Sequence, residues 1–383
     1  MIRIGISGFG AMGQLHASHL LKGLVPGAQL CAVYDPDAAR RKAAGALSAE
    51  IACCQTLEEL LEKVDAVVLA SPHALHVPHA LAALQSGRHV LTEKPLGVRA
   101  SQAQQAVDLA AEKGLVYCVM FDQRALPVCR RVKALLDAGE IGAVRRTVLI
   151  QTDCYRPQSY FDSGAWRGTW KLEGGGMLVN QCSHAMDLLC WWLGMPEFVS
   201  ANVGYGKWHQ IEVDDDISCF ARYPGGGTLH FLASTADVPG INLFEIQGDA
   251  GKLAIDRESG ALRVYRLDEP EPAFSQSFAG GIGAPGCTCE ELRFDAAERG
   301  HLRVLQNFAA AIAGREKPLA PAVEAMDALR LTQAIYLSSW LGRGVAAPFE
   351  DEAFDALFVP RQEQSKPHAA KQVCIDFNAV WKK

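Results

Sequence analysis

A glycine-rich turn near the start of the chain constrains the fold more than any other feature. The apolar residues 1–7 lead directly into Gly-Phe-Gly-Ala-Met-Gly, in which Gly8, Gly10 and Gly13 occupy the first, third and sixth positions. In a strand–turn–helix unit, these glycines allow the tight turn, the approach of a pyrophosphate to the backbone, and close helix packing, respectively. The N–H groups that begin the helix then face the phosphates. We therefore expect a dinucleotide at this turn, which would contact the glycines together with Phe9, Ala11 and Met12.

Strand and helix patterns alternate along residues 1–120. Short apolar runs such as DAVVLAS (65–71) and HVLTEKP (89–95) are separated by helical segments. This alternation predicts an α/β fold with a doubly wound parallel sheet, and we place a first domain at 1–120. One short helix has Thr56 in position to cap it and Glu59 three residues later, which is the pattern of a capping box.

The residues after the second strand bear on the choice of dinucleotide. Asp35 follows the glycine turn by about 20 residues, where a carboxylate binds the ribose hydroxyls of NAD. The same carboxylate repels the 2′-phosphate of NADP, so the sequence favours NAD as the cofactor. Arg40 and Arg41 follow closely and keep NADP open as the alternative, because guanidinium groups bind phosphate.

Other strand ends supply candidates for the same crevice. In doubly wound sheets, ligands bind in the crevice outside the carboxyl ends of the strands. The loops after the third and later strands therefore contain candidate cofactor-binding residues. These are Ser71, Pro72, His73, His76, Glu93, Lys94 and Gln123.

The chain changes character after Phe121. Longer segments with polar alternation, such as residues 143–155 and 215–224, are separated by turn signals. They predict a large, mostly antiparallel open sheet in a second α/β domain at 121–348. We expect helices at 177–193, near 302–313 and at 325–341, and we leave residues 349–383 as a tail without an assigned role.

Composition excludes several classes of function. The chain has 383 residues, which is enough for two domains, and its formal charge of −6 gives no general attraction to nucleic acid. It lacks a run of about 18 apolar residues, so we expect no membrane span. The first residues lack a basic flank and are expected to form a strand and not a signal peptide. The 12 cysteines show no paired CxxC spacing, so we expect reduced thiols, no metal site and a cytoplasmic location.

These motifs together resemble the Gfo/Idh/MocA family, the group of glucose–fructose oxidoreductase and inositol dehydrogenase. The resemblance covers all but the tail and rests on GFGAMG, SPHALHVPHALAALQSGRHVLTEKPL, DSGAWRGTW and GGGMLVNQCSHAMDLL. It implies an N-terminal Rossmann domain, a C-terminal α/β domain with a large open sheet, bound NAD(P), and sugar or cyclitol substrates. It also implies a cis Lys94–Pro95 bond, and homodimers or homotetramers that pack through the open sheet.

The resemblance implies hydride transfer between nicotinamide and a secondary hydroxyl, which also requires a base for the hydroxyl proton. Lys94 is the leading candidate, because a lysine that is partly desolvated beside a cofactor has a lowered pKa. The family's GGGxxxDxGxH pattern sets an acid and a histidine beside it, and these positions are Asn180 and His184 here. Asparagine cannot act as a base. We therefore expect Lys94 and His184 to carry the proton and Asn180 to orient the sugar, an arrangement that occurs in the family among enzymes of nucleotide-linked sugars.

Aromatic and basic residues before that helix are candidates for substrate and cofactor contacts. Trp166 would stack on a sugar face and Trp170 on the nicotinamide. Arg167 would bind a carboxylate or phosphate. Tyr155, at the end of the first long strand of the second domain, is a further candidate for the substrate.

Two rival functions remain at this point. One is a glycosidase of the same superfamily that uses bound NAD for transient oxidation, without net redox change. The other is a regulator that binds NAD(P) and performs no chemistry. The presence of both Lys94 and His184 favours a dehydrogenase over the regulator.

Overall fold

The structure is a computed structural model that describes residues 1–256, 259–294, 300–367, 369 and 371. Its N-terminal part contains six strands, β1 (Ile2–Ser7), β2 (Ala28–Tyr34), β3 (Ala52–Cys54), β4 (Ala66–Leu69), β5 (His89–Thr92) and β6 (Tyr117–Val119). All neighbours pair in parallel, in the order β3-β2-β1-β4-β5-β6. The predicted doubly wound sheet is therefore confirmed.

Helices cover both faces of this sheet because its strands bury side chains in both directions. The helices are α1 (Ala11–Leu21), α2 (Ala38–Gly45), α3 (Leu57–Leu61), α4 (His76–Gln85) and α5 (Ala100–Glu112). Val68 of β4 belongs to the core that includes α1, whereas Val67 and Leu69 belong to the core that includes α3, α4 and α5. Successive side chains of a strand point to opposite faces of the sheet, so one strand contributes to both cores.

The C-terminal part is built on a nine-stranded sheet. Its strands are β7 (Val144–Gln151), β8 (Phe198–Tyr205), β9 (Asp214–Arg222), β10 (Thr228–Ser234), β11 (Asn242–Gly248), β12 (Gly251–Asp256), β13 (Ala261–Leu267), β14 (Cys287–Arg293) and β15 (Val345–Ala346). They lie in the order β14-β13-β12-β11-β7-β10-β9-β8-β15. Only the β7–β10 pair among these is parallel, so the expectation of a large, mostly antiparallel sheet is also confirmed.

The remaining helices are α6 (Pro127–Asp137), α7 (Gln158–Asp162), α8 (Ser183–Leu193), α9 (Glu271–Ser277), α10 (Gly300–Ile312), α11 (Ala322–Leu341) and α12 (Asp351–Gln364). Helices α8 and α11 pack against each other, and their buried side chains join those of the sheet in one core. The helix expected at 177–193 begins at Ser183. The residues before it form turns, in which Gly174 and Gly175 have φ angles of 78° and 155° that other residues rarely adopt.

Helix α10 belongs to the core of the N-terminal sheet although it follows β14 of the second sheet in the chain. Val304, Leu305 and Phe308 of α10 are buried in one cluster with Ile4 and Ile6 of β1. The chain therefore returns to the first structural unit before α11 and β15 complete the second, which ties the two together.

Helix α12 gives the tail a structural role that the sequence did not suggest. Phe354 and Phe358 are buried, and Phe354 stacks on Trp340 of α11. Residues 368, 370 and 372–383 of the expected tail lie outside the described residues. None of the helices that the structure describes is long and apolar enough to cross a membrane.

Candidate active site

The glycine turn forms an open cradle at the start of α1. Gly8 has a φ of 96°, and a Cβ added there would lie 2.5 Å from the carbonyl oxygen of Ala70. A Cβ on Gly13 would lie 2.1 Å from the Gly8 oxygen, so both positions require glycine. A Cβ on Gly10 would approach only the Arg40 side chain, at 4.0 Å. Gly10 therefore leaves room for a ligand at the helix N-terminus, as a bound pyrophosphate requires.

Asp35 is buried at the end of β2 and holds the glycine turn. Its Oδ2 accepts a hydrogen bond from the Phe9 amide at 2.7 Å, and its Oδ1 accepts one from the Asp37 amide at 2.9 Å. Arg41 donates to the carbonyl oxygen of Asp35 at 2.6 Å, so this arginine is engaged by the backbone. Arg40 is 54% exposed and lies 3.5 Å from Asp35 Oδ2, so it is the arginine that faces the adenosine end of the cradle.

The loops after β4 and β5 lie next to each other in the crevice. His76 is fully buried, with Nδ1 2.7 Å from the Pro95 oxygen and Nε2 2.9 Å from the Ser71 oxygen. This placement corrects our expectation of a cofactor contact, because both ring nitrogens of His76 connect protein loops. Ser71 Oγ is buried and has no hydrogen-bond partner among the described residues, which fits a polar group of the cofactor beside Pro72.

Glu93 and His73 connect this crevice to the rest of the molecule. Glu93 is buried and its Oε1 lies 2.7 Å from Nε2 of His16 in α1. His73 Nδ1 lies 3.0 Å from the backbone oxygen of Glu173, and burial lowers the pKa of His73 well below its usual value. The edge of the Trp166 ring packs on the His73 ring, with centroids 5.3 Å apart. The segment before α8 therefore closes over the carboxyl ends of β4 and β5.

Lys94 projects from the end of β5 onto the start of α8. Its Nζ donates to both the backbone oxygen and the side-chain Oδ1 of Asn180, each at 2.9 Å. Burial is the main cause of a lowered pKa for Lys94, and the carboxylates of Glu93, Asp122 and Glu173 oppose that shift. The peptide bond between Lys94 and Pro95 is cis, as the family resemblance implied.

His184 faces an acid that sequence reasoning did not identify. Its Nδ1 lies 3.4 Å from Oδ1 of Asp122, and Oδ2 of the same carboxylate lies 3.1 Å from Nδ1 of His301 in α10. Burial lowers the pKa of His184 to about 4 against the opposing effect of Asp122, and the Lys94 ammonium lowers it further. Asp122 directly follows the β6 region, next to Gln123, so its position at a strand end was the signal that could have revealed it.

Asp187, three residues after His184 in α8, pairs with the buried Arg124. The Arg124 guanidinium donates to its carboxylate through hydrogen bonds of 2.9 and 2.7 Å. Arg124 also pairs with Glu324 of α11. Gln123 itself lies half-buried in the turn that connects Asp122 to this ion pair.

The two tryptophans of the segment before α8 have different environments. The Arg167 guanidinium lies between the rings of Trp166 and Tyr160, at 4.5 and 4.2 Å from their centroids. Trp170 is buried among aromatic rings of the second domain, those of Tyr205, Tyr336, Trp340 and Phe358. The expected contact of Trp170 with nicotinamide is therefore wrong, because its ring is part of that core.

The outer end of the site is basic and aromatic. Tyr155 is 47% exposed, and the Arg156 guanidinium lies 5.2 Å from the centroid of the Tyr160 ring. Arg167 donates to the Tyr160 hydroxyl at 2.5 Å. The guanidinium groups of Arg156 and Arg167 thus both pack against the Tyr160 ring beside the crevice.

Glu173 is the second acid that sequence reasoning missed. It precedes the three glycines and is almost completely buried, and its Oε1 accepts from Asn180 Nδ2 at 2.7 Å. Its Oε2 accepts from the Gly168 amide at 2.5 Å. Burial raises the pKa of Glu173 to about 7, and the Arg167 cation opposes that shift. No group of side chains in the described ranges has the composition of a metal site.

The parallel six-stranded sheet and the glycine turn together define a Rossmann domain of the kind that binds NAD. Residues 2–121 match the model of the oxidoreductase family described as Gfo/Idh/MocA, NAD-binding Rossmann fold, and residues 129–254 match the C-terminal domain of the same family. The chain belongs to the Gfo/Idh/MocA family, as its motifs predicted.

Relatives and solved structures are similar over different lengths. The WlbA dehydrogenase of Chromobacterium violaceum, solved with NADH and UDP-GlcNAcA, has a TM-score of 0.79 and 26% identity, over 91% of this chain and 96% of that one. Levoglucosan dehydrogenase of Pseudarthrobacter phenanthrenivorans is 25% identical over 56% of this chain and 60% of its own length. Glucose-6-phosphate 3-dehydrogenase of Bacillus subtilis is 25% identical over 70% of this chain and 77% of its own length. The aligned segment thus spans less than two thirds of the levoglucosan enzyme.

Proposed function

We propose that this protein is an NAD-dependent dehydrogenase that oxidises a secondary hydroxyl of a sugar, a sugar derivative or a cyclitol. The observation that carries this proposal is the contact of Lys94 with Asn180 beside the cofactor crevice, with His184 close enough for the Lys94 charge to lower its pKa. The relatives named above are dehydrogenases of such compounds. They give no support to the redox-neutral glycosidase or to a regulator without chemistry.

Lys94 and His184 are the two groups that accept the proton of the substrate hydroxyl. Bound nicotinamide supplies the acceptor for the hydride. Lys94, whose pKa is lowered by burial, hydrogen-bonds the alcohol oxygen and, in its free-amine form, takes its proton. His184 is neutral at physiological pH and provides a second acceptor nearby. Asn180 donates and accepts hydrogen bonds, and so it orients the lysine and the sugar without taking a proton.

The basic outer end of the site favours a substrate that carries a negative charge. Arg156 and Arg167 both lie against the Tyr160 ring, where a phosphate or carboxylate would find two guanidinium groups. Trp166 and Tyr155 offer ring surfaces beside them. The UDP-GlcNAcA of the WlbA complex and the substrate of glucose-6-phosphate 3-dehydrogenase are both anionic sugars.

The cofactor is proposed to be NAD because the buried Asp35 carboxylate lies where the 2′-hydroxyl of the ribose would bind. Arg40 is the residue through which NADP would bind, because it is the exposed arginine beside this carboxylate. We expect NAD to bind more tightly than NADP, and an Arg40→Ala change to weaken NADP more than NAD.

A substrate panel tests the function. UDP-GlcNAcA, glucose 6-phosphate, levoglucosan and scyllo-inositol would each be offered with NAD and with NADP, while absorbance reports the reduced cofactor. The proposal expects reduction of NAD with at least one anionic sugar. Reduction of neither cofactor, together with cleavage of a glycosidic substrate, would favour the glycosidase instead.

We also propose a homodimer or homotetramer that forms through the outer face of the nine-stranded sheet, and a cytoplasmic location. The support for assembly is the row of apolar side chains formed by Leu243, Ile150 and Leu232 on that face. The support for location is that all 11 cysteines among the described residues are free thiols.

A further inference from the structure

The amide of Asn180 is held in one orientation by opposite partners. As an ammonium group, Lys94 Nζ can only donate, and it lies 2.9 Å from Asn180 Oδ1. On the other side, the Glu173 carboxyl accepts from Asn180 Nδ2 at 2.7 Å. A rotated amide would place its NH2 group against the ammonium and its oxygen against the carboxylate. The two flanking charges therefore determine which end of Asn180 faces the lysine.

Glu173 is itself fixed on several sides. Its second carboxyl oxygen accepts from the Gly168 amide at 2.5 Å, and its backbone oxygen contacts His73 Nδ1 at 3.0 Å. Only 2% of the residue is exposed. A carboxylate that accepts hydrogen bonds at both oxygens in so closed a site cannot swing away from Asn180.

The charges around Glu173 and Lys94 affect each other. Arg167 lowers the pKa of Glu173, while burial and Asp214 raise it. The pKa of Lys94 is lowered by burial and by the Arg167 cation. The carboxylates of Glu93, Asp122 and Glu173 raise it. His73, which lies on the backbone side of Glu173, is neutral because of its burial.

We propose that Glu173 is the positioning acid of this site: it orients the Asn180 amide toward Lys94 and supplies there the negative charge that the family pattern would place at position 180. In the family pattern the acid would contact the lysine directly. Here the Asn180 amide lies between Lys94 and the acid Glu173. This inference rests on the proposed dehydrogenase function, but its charge effect on Lys94 can be measured without any substrate.

The decisive experiment measures the pKa of Lys94 directly in the full-length protein. Lysines would be labelled with acetic anhydride over a range of pH, and the peptide that contains Lys94 quantified by mass spectrometry, with the exposed residue Lys22 as the internal reference. The variants are Glu173→Gln, which removes the charge and keeps the shape, and Glu173→Asp, which keeps the charge and shortens the reach. Glu212→Gln is the matched control, because Glu212 binds Ser365 and Lys366 in the tail and does not face Lys94.

We expect the pKa of Lys94 to fall by about one unit in Glu173→Gln and by less than about half of that in Glu173→Asp, as loss of a nearby carboxylate requires. Glu212→Gln should leave it unchanged. An unchanged pKa of Lys94 in a folded Glu173→Gln protein would overturn the proposal. If Glu173→Gln does not fold, a full one-unit fall in Glu173→Asp overturns it equally.

Turnover gives a second, separate readout with the best substrate of the panel. Both variants should lose about tenfold or more in kcat with little change in KM for NAD, because the misoriented amide no longer aligns the lysine. Asn180→Asp added to Glu173→Gln should return the acid limb of the pH profile toward the wild-type position. The pKa of Lys94 could fall in Glu173→Gln as expected while no substrate is turned over. That outcome would contradict the dehydrogenase function and support the effect of the Glu173 charge on Lys94.

Discussion

Lys94 illustrates how a common surface residue acquires chemistry from its surroundings. Burial disfavours its ammonium form, whereas the carboxylates of Glu93, Asp122 and Glu173 favour it. The lysine remains below its usual pKa although it hydrogen-bonds two oxygens of Asn180. A lysine with a lowered pKa gives up its proton more readily than an exposed lysine does, and this suits it to acid–base work.

Lys94→Ala should abolish turnover and leave cofactor binding nearly intact. The cradle at Gly10 and the carboxylate of Asp35 lie at the opposite end of the dinucleotide site, so the adenosine and pyrophosphate contacts remain. We expect a loss of at least about 10²-fold in kcat, the low end for a positioned acid–base group. Stopped-flow turnover and NADH fluorescence titration would measure the two quantities. Lys22→Ala at an exposed position is the control, and wild-type kcat in Lys94→Ala would exclude the assigned role.

The acid limb of kcat/KM should contain a step from His184 near its pKa of about 4, far below the usual value. Because His184 accepts a proton only when neutral, this contribution persists above that pH and is lost below it. Asn180→Asp should move the limb upward, since an added carboxylate stabilises the protonated forms of Lys94 and His184. His184→Asn should remove the lower step. The same acid limb in wild type and both variants would leave Lys94, or a bound water, as the sole base.

At the same scale, sequence reasoning found residues that motifs mark and missed those that only packing brings in. The turn glycines, Lys94, Asn180 and His184 stand in local patterns, and the structure brings Lys94 and Asn180 into direct contact. Asp122 and His301 come from distant segments, and their pairing depends on the return of α10 to the first sheet. Trp166 and Trp170 stand in the same short motif, and the sequence gives no reason to treat them differently. Only the three-dimensional structure shows that the Trp166 ring lies at the crevice and the Trp170 ring in the core.

At the scale of elements, capping residues predicted the start of a helix better than hydrophobic periodicity did. The cap at Thr56 is confirmed, with its side-chain oxygen accepting from the Glu59 amide at 3.2 Å. The Glu59 side chain accepts in return from the Gln55 amide at 2.8 Å, one residue earlier than in a standard capping box. The start of α8 was misplaced because the hydrophobic pattern of residues 177–182 continues that of the helix, while the preceding glycines impose turns. Hydrophobic periodicity cannot distinguish a buried turn from a buried helix.

Thr56→Ala should lower the free energy of unfolding by about 1 kcal/mol, the usual cost of removing a side-chain cap. The loss arises because the Glu59 amide, no longer bonded to Thr56 Oγ1, must find another acceptor at the start of α3. Thr56→Ser keeps the hydroxyl and serves as the matched control. Urea denaturation followed by circular dichroism would compare the three proteins. Equal stability of the alanine variant and wild type would show that water replaces the cap without cost.

At the scale of the whole molecule, the nine-stranded sheet has one covered face and one outward face. Helices α8 and α11 pack on the covered face, where alternate residues such as Phe231 and Leu149 are buried. The intervening residues point outward, and several of them are apolar. In register across three neighbouring strands lie Leu243, Ile150 and Leu232, of which Leu232 is 43% exposed at the middle of the sheet. A row of three apolar side chains on an outward face favours burial against another surface.

We expect a second copy of the chain to be the partner of this surface, since an outward sheet face can pack on itself about a twofold axis. Leu232→Asp would place a charge at the centre of such an interface and should shift the protein toward the monomer. Leu47→Asp is the control, because Leu47 is 53% exposed but lies in the N-terminal part, away from this sheet. Sedimentation equilibrium would report the mass of each protein. A wild-type protein that stays monomeric at high concentration, or a Leu232→Asp variant that assembles as wild type does, would show that the outward face is not the interface.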